Sequence, residues 1–435
     1  MPDADLPLLR HLLRVGDVTQ LTSQIAAWTG PDAHLAPLAS YAVTGRATSL
    51  APRNDLEAAF MRQIIALRTA RARYAGPPRH RLVAPRTVDA LADDQGPAGW
   101  SAAQWLNMLL LAKIQPRQRC AVVVSMRDDG LSVLEWVAHY RALGCTGIFI
   151  YSNDNVDGSD VLLDCLAFHG VITHIQNDCG PGYSPQRKAF AHALHLLPEL
   201  RDYEWVFFAD SDEFFVPGPG YGPGLTDLID AFEAQSPPGE PAALCFQWRW
   251  YVSAGAYART PGLLLERFRH ATDHGLSKSL VRLSDVVSMR RLHFPDLRAG
   301  ATLLRGDGVK LREASLWEAR APDYGAGQIN HYWTKSFEEF SIKKARGDAV
   351  SLAQNDFARD FELFFKWNSD ETAENLAPPP AALVAEVAVD VGRLMALDGV
   401  AEAVRTIEGR LPAMLARFDT AGGLRAIYDG LAPAG

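Results

Sequence analysis

The hydrophobic pattern changes character at Cys120. From there, short runs rich in β-branched and aromatic residues alternate with longer stretches whose apolar positions recur at helical spacing. Residues 121–126, 147–151 and 171–175 read as strands. Residues 131–143, 159–169 and 185–200 read as helices, and in the first of these Leu131, Leu134, Val137, Ala138 and Leu143 share a face. Such alternation predicts a mostly parallel sheet with helices on its faces and right-handed crossovers. A fourth strand at 205–216, a helix at 225–232 and a further strand at 242–252 follow, and 255–328 is less regular.

The flanks read differently. Residues 1–115 form a helical N-terminal extension, with helical spacing at 8–13 and 56–73 and breaks at Gly76-Pro77-Pro78 and Asp93-Asp94-Gln95-Gly96-Pro97. The alternating region, 116–348, is the central domain. A triple proline within 377–382 reads as a linker, and 349–435 is a helical C-terminal region whose stretch 384–411 is one amphipathic helix.

The fourth strand ends abruptly in charge: Trp205-Val206-Phe207-Phe208-Ala209-Asp210-Ser211-Asp212-Glu213. Unpaired carboxylates beside a core are costly, so a cation is expected there, and a divalent metal is the simplest one. Asp210 and Asp212 are two apart, so a regular strand would point both the same way. In open α/β sheets, ligands bind beyond the carboxyl ends of the strands. An acidic surface turn is the plainer alternative.

Composition narrows the class. With 48% hydrophobic and 22% charged residues the chain has material for a large core. A net charge of -8 argues against nucleic acid as a main partner. Five scattered cysteines without a CxxC pair fit free thiols in a reducing compartment. Residues 1–5 lack the basic start of a signal peptide, and the apolar stretch 105–112 is too short to cross a bilayer. The expected compartment is the cytoplasm, with peripheral association at the inner face of the membrane left open.

Four ordered motifs carry a family resemblance. They are Ser125-Met126-Arg127-Asp128-Asp129 with Leu134-Glu135-Trp136; Tyr151-Ser152-Asn153-Asp154-Asn155-Val156-Asp157-Gly158-Ser159; Asp210-Ser211-Asp212-Glu213-Phe214; and Asn330-His331-Tyr332 with Lys335-Ser336 and Glu338-Glu339-Phe340. Together, over roughly 120–348, they resemble the family 2-like glycosyltransferases. The resemblance implies an α/β fold of the GT-A type, a Rossmann-like mixed, mostly parallel sheet flanked by helices. It also implies a nucleotide-sugar donor (a UDP-sugar first), a glycan or glycoconjugate acceptor in polysaccharide synthesis, and Mn²⁺ or Mg²⁺ at a DxD motif. One departure stands out: Asp128-Asp129 replaces the family's Asn-Glu.

Candidate roles follow from residue chemistry. Asp210 and Asp212 are assigned to the ion and the donor ribose, and His331 to completing the coordination sphere, which tilts the choice toward manganese. A divalent ion stabilises a leaving diphosphate by electrostatics. Asn153 and Asp154 suit contact with uracil or another base, or the capping of the next helix. Arg127 suits the base or diphosphate, and Asp157 an N-cap or a ligand. Gln186, Arg187 and Lys188 open a helix, where anions bind readily, or are surface charge. Lys335, Lys343, Lys344 and Arg346 form a basic run, either a lid over the diphosphate or a solvated face. Glu135 reads as a solvent-exposed helix position. An inverting transfer also needs a general base, for which Asp273 is the first candidate and Glu213 the next. The competing readings are an Asp-x-Asp phosphatase-like hydrolase with Asp210 as nucleophile, and a non-catalytic nucleotide-sugar-binding protein.

Overall fold

The computed structural model describes residues 6–46, 50–69, 81–312, 322–346, 357–368, 373–376, 378–421 and 423–432. The N-terminal five residues, Gly76-Pro77-Pro78, Gly347 and Ala377 lie outside the described residues.

A mixed sheet runs through the centre. Strands β1 (Leu82–Ala84), β2 (Gln118–Met126), β3 (Gly147–Ser152), β4 (Thr173–Asn177) and β5 (Tyr203–Asp210) are parallel, in the spatial order β1-β4-β3-β2-β5. After β6 (Glu213–Pro217) and β7 (Ala243–Val252), the 13-residue β8 (His270–Arg282) inserts antiparallel between β5 and β7. A small hairpin, β9 (Val286–Ser288) with β10 (Asp296–Leu297), stands apart from the main sheet. Strands β11 (Leu303–Arg305) and β12 (Lys310–Leu311) extend the sheet beyond β7. Strand β13 (Gly327–His331) pairs with β6 and β7 together. The expected mixed, mostly parallel sheet flanked by helices is therefore present.

Alternation along β5 explains why this sheet is buried on both faces. Trp205, Phe207 and Ala209 enter one apolar cluster, and Val206 and Phe208 enter the other.

Five N-terminal helices build a separate apolar cluster: α1 (Leu6–Val15), α2 (Val18–Thr29), α3 (Leu35–Thr44), α4 (Asp55–Thr69) and α5 (Ala102–Leu111). The sheet is flanked by α6 (Val133–Ala142), α7 (Ser159–Phe168), α8 (Pro185–Leu196) and α9 (Leu225–Gln235), with the single turn α10 (Leu264–Arg267) nearby. Helices α11 (Phe337–Arg346) and α12 (Phe357–Asn368) share an aromatic cluster that includes Phe337, Phe340, Phe361 and Phe364. Helix α13 (Ala381–Met395) packs on α6, and α14 (Val400–Leu415) on α7.

Four expectations change. The strand expected at 205–216 is two strands, because the chain turns at Ser211-Asp212. The single helix expected at 384–411 is two, broken where Gly399 takes φ 80°, a left-handed value that only glycine adopts without strain. Helix α8 ends at Leu196 rather than at residue 200, since Pro198 starts a separate 3-10 turn. The region before residue 115 is not wholly helical: β1 from this segment forms the edge of the sheet beside β4.

Close packing also fixes the loop after β6. A Cβ on Gly218 would lie 2.0 Å from the Gly325 carbonyl oxygen, where the Gly218 amide donates to the Ala326 carbonyl at 3.0 Å.

Candidate active site

A cleft of about 1070 Å³ opens at the carboxyl ends of β2, β3 and β5. Its floor is the turn between β5 and β6. Asp210 has the parity of Val206 and Phe208, so it leaves the sheet toward α8. There Gln186 Nε2 donates to Oδ1, and Lys278 Nζ from β8 donates to the same oxygen at 2.8 Å. Burial alone would raise the Asp210 pKa, but Lys278 outweighs it and the carboxyl stays below its ordinary range.

Asp212 sits in the turn, where strand alternation no longer holds. Its Oδ1 lies 3.3 Å from His331 Nε2, and its other oxygen accepts from Lys343 Nζ of α11. Register explains the meeting: β13 pairs with β6 so that His331 stands opposite Glu213, and the Tyr332 amide then donates to the Asp212 carbonyl at 2.9 Å. Although burial opposes its charge, Lys343 and His331 hold the Asp212 carboxyl well below its usual pKa. The two aspartates thus face the same cleft but engage different partners, contrary to the shared direction expected from their spacing.

Glu213 belongs to the frame of the turn. It is fully buried, accepts from the Asp210 amide at 2.9 Å, and lies 3.9 Å from Lys278 Nζ. Burial and the nearby Asp210 push its pKa well above the ordinary value. It does not line the cleft, which removes it as a candidate base.

The β2–β3 end holds Arg127 and Asn153 in the cleft lining. Asp154 is exposed, has φ 46°, and lies outside that lining. Asp128 and Asp157 are loop braces. Asp128 Oδ1 accepts from the Val156 amide at 2.6 Å and the Asp157 amide at 3.0 Å; Asp157 accepts from Gly130 and Ser159 amides at 2.9 and 2.8 Å. The second acidic position reaches the cleft: Asp129 accepts from Ser211 Oγ at 2.7 Å and pairs with Arg346 at 2.8 Å.

Glu135 is buried rather than solvent-exposed. It accepts from the Leu264 and Leu265 amides at 2.8 and 3.1 Å, so its carboxylate closes the start of α10. Burial raises its pKa to about 7.

The basic groups divide. Ser184 caps α8 and Pro185 starts it, which sets Gln186 and Arg187 in the lining. Lys188 turns away, fully buried, to Asp89 at 2.6 Å and the Ala84 carbonyl at 3.0 Å. Lys343, Lys344 and Arg346 line the cleft from α11, whereas Lys335 reaches toward Ser132 instead. Asp273 lies on β8, where His274, Leu276 and Lys278 line the cleft and the alternate positions do not. It pairs with Arg249 at 2.9 Å and accepts from the Tyr324 hydroxyl at 3.0 Å, outside the lining, so it is not positioned as the base.

Sequence reading missed the other wall. Trp248 and Trp250 of β7, Trp333 after β13, Trp367 of α12, and His274 and Lys278 of β8 all line the cleft. The period-two pair Trp248/Trp250 was the available signal. Asp93, Asp94 and Gln95, read only as a loop, also reach the lining.

The donor set bears on a metal. Asp212 and His331 bring a carboxylate oxygen and an imidazole nitrogen together beside the open cleft, a pair of ligand types that suits Mn²⁺. Among the described residues, no three His, Cys, Asp or Glu side chains converge as a metal-holding group. The fit is thus to an ion with two protein ligands that takes its remaining oxygens from phosphate and water, as such ions commonly do.

No helix among the described residues is long and apolar enough to cross a membrane. All five cysteines are free thiols. The crystal structure of S. aureus TarS 1-349 is similar at 10% identity, covering 72% of this chain and 89% of that one, with a TM-score of 0.27. A glycosyltransferase family 92 protein of Ricinus communis is 30% identical over 131 residues, 30% of this chain. The match spans 22% of the length of that relative. The family model for glycosyltransferase family 92 matches residues 126–360, more than half of the chain and the segment that carries both Asp210-Ser211-Asp212 and His331. On that match, the chain belongs to glycosyltransferase family 92.

Proposed function

We propose that this protein is a metal-dependent glycosyltransferase that moves a sugar from a nucleoside diphosphate, UDP first, to a glycan or glycoconjugate acceptor with inversion. The observation that carries the reading is the cluster of Asp212, His331 and Lys343 on the floor of the cleft, at the sheet end where α/β folds bind ligands. Family membership supports it. In the transfer, the acceptor oxygen bonds to the anomeric carbon, the bond from that carbon to the diphosphate breaks, and the acceptor proton passes to a base.

Asn153 and Arg127 stand where a nucleoside would be held, at the ends of β3 and β2. Asp212 and His331 would hold a Mn²⁺ or Mg²⁺ ion, which would neutralise charge on the leaving diphosphate. Lys343, Lys344 and Arg346 add fixed positive charge from α11, where it stabilises the same leaving group. Burial lowers the Lys343 pKa, against the pull of Asp212. The hydrolase alternative draws no support from the site, because its nucleophile, Asp210, is held by Lys278 and Gln186.

The test is a thermal-shift screen of UDP, GDP, CDP, TDP and their common sugar conjugates, with and without Mn²⁺. Binding to the native state raises the midpoint by mass action. UDP with Mn²⁺ is expected to give the largest shift, and Asp212→Asn to remove its metal-dependent part. If no nucleoside diphosphate moves the midpoint under either condition, the proposal fails.

A further inference from the structure

The nucleoside end and the aromatic end of the cleft lie far apart. Asn153 follows β3, while Trp248 and Trp250 are on β7. The order β3-β2-β5-β8-β7 separates them by four strand spacings, about 19 Å. The carboxylate floor at the end of β5 lies between the two. A nucleoside diphosphate extending from β3 to Asp212 therefore leaves the β7 side open for a second molecule. At about 1070 Å³, the cleft slightly exceeds the range of about 300–1,000 Å³ for a single drug-sized ligand.

The β7 side is built of flat rings. His331, beside Asp212, lies against Trp248 and Trp250 with centroids 4.2 and 5.1 Å away. Trp250 is buried, and the half-buried rings of Trp333 and Trp367 approach it at 5.3 and 5.2 Å. His274 stacks on Trp250 at 4.8 Å and 29°. Its Nδ1 accepts from the Leu276 amide at 3.2 Å, and burial lowers its pKa to about 4, so the neutral ring keeps Nε2–H as a donor. Lys343 and Lys344 lie over Trp333 at 5.3 and 5.0 Å. Rings interleaved with ammonium groups and an imidazole N–H do not make a continuous apolar groove for an alkyl chain. They match a molecule with one apolar face and a rim of hydroxyls.

We propose that the wall formed by Trp250, Trp333, Trp367 and His274 is the acceptor subsite and takes a saccharide ring stacked on indole. This inference rests on the transferase reading above. Trp367 lies beyond the segment matched by the family, at 126–360, so part of this selectivity comes from the chain's own C-terminal region.

The experiment titrates the full chain with free trisaccharides of glucose, galactose and N-acetylglucosamine, read by intrinsic tryptophan fluorescence and by the KM of transfer. At least one trisaccharide is expected to quench wild-type fluorescence. Trp367→Ala is expected to weaken that binding at least tenfold and raise the acceptor KM, while Trp367→Phe retains most of it. Should Trp367→Ala fail to fold, Trp367→Leu, which lacks the flat π face, carries the same expectation. UDP shifts with Mn²⁺ should match wild type in every variant. Saccharide binding that survives loss of the ring overturns the subsite, as does the absence of saccharide binding to wild type. A selective loss of UDP binding in Trp367→Ala would instead assign the wall to the nucleobase and also overturn it. Because the UDP arm is read without an acceptor, failure of the subsite and failure of the transferase reading are distinguishable.

Discussion

On the β5 side of the cleft, the carboxylates of Asp210 and Asp212 are engaged by Lys278 and Lys343, and Asp129 pairs with Arg346. On the β7 side, the lining is tryptophan and histidine, and the contacts are ring on ring. The ionic side lies within the family-matched segment, whereas the aromatic side is completed by Trp367 of α12, which lies beyond it. Charge compensation on the first side is a matter of stability as well as ligand binding. The two sides meet at Trp333, which lies under Lys343, the partner of Asp212. On the acceptor-subsite proposal, the family chemistry is kept at one end of the cleft while the other end is adapted to the acceptor.

The largest effect should come from Lys278→Met. Lys278 is buried against Asp210 and Glu213, and its pKa is raised by them despite the cost of burial. Removing one partner of a buried ionic group typically costs about 3–5 kcal/mol. Urea unfolding should show a loss of that size, and Asp210→Asn in the same chain should restore part of it, since Asp210 is the carboxylate left without its partner. A loss below about 1 kcal/mol would mean that the ionic floor is not held together as described.

Asp212→Asn should lower the transfer rate by about 10²–10³, the usual cost of removing one electrostatic stabiliser of a transition state, and should also lower stability, because Lys343 loses its buried partner. Rate and urea midpoint, measured together, separate this effect from unfolding. Trp367→Ala should cost about tenfold in acceptor affinity, or about 1.4 kcal/mol, and leave UDP binding intact. An equal change in both would erase the division between the two sides.

The smallest effect concerns acid. His139 is fully buried, Nε2–H donates to the Phe215 carbonyl at 2.8 Å, and burial lowers its pKa to about 4 from 6.5. The unfolded chain therefore binds its proton first, and stability is lost as pH falls from about 6.5 toward 4. Glu135 works in the opposite sense. With its pKa raised to about 7 from 4.5, its contribution is present in acid and lost as pH rises through that window. The two offset in the wild type, so only a difference measurement resolves them. His139→Phe should flatten the fall in unfolding free energy between pH 6.5 and 4.5. An unchanged slope would show that His139 is not neutral in the native state.

Much of the sheet was legible in local pattern. Strands β2 and β3 and helices α6 and α7 follow from β-branched runs and one-sided apolar spacing, because both faces of the sheet are buried and every position votes. Strand β8 was missed because its first half, His270 to Gly275, is polar and partly exposed, so no apolar run marks it. Yet β8 carries Lys278, which balances the most conspicuous carboxylate in the chain.

His331 entered through the family resemblance carried by Asn330-His331-Tyr332, but the sequence by itself determined that carboxylates would stand at a strand end. It did so because apolar runs and abrupt charge are local properties, readable one residue at a time. Only the tertiary structure decided which groups share a space. It turned Asp212 away from Asp210 and buried Glu213. It drew Asp273 out of the cleft to Arg249, and it brought Trp250 and Trp367 to 5.2 Å of each other across more than a hundred residues. Those outcomes depend on strand register, on the turn at Ser211-Asp212 and on the antiparallel insertion of β8, and long-range pairing of that kind leaves no periodic trace in the chain.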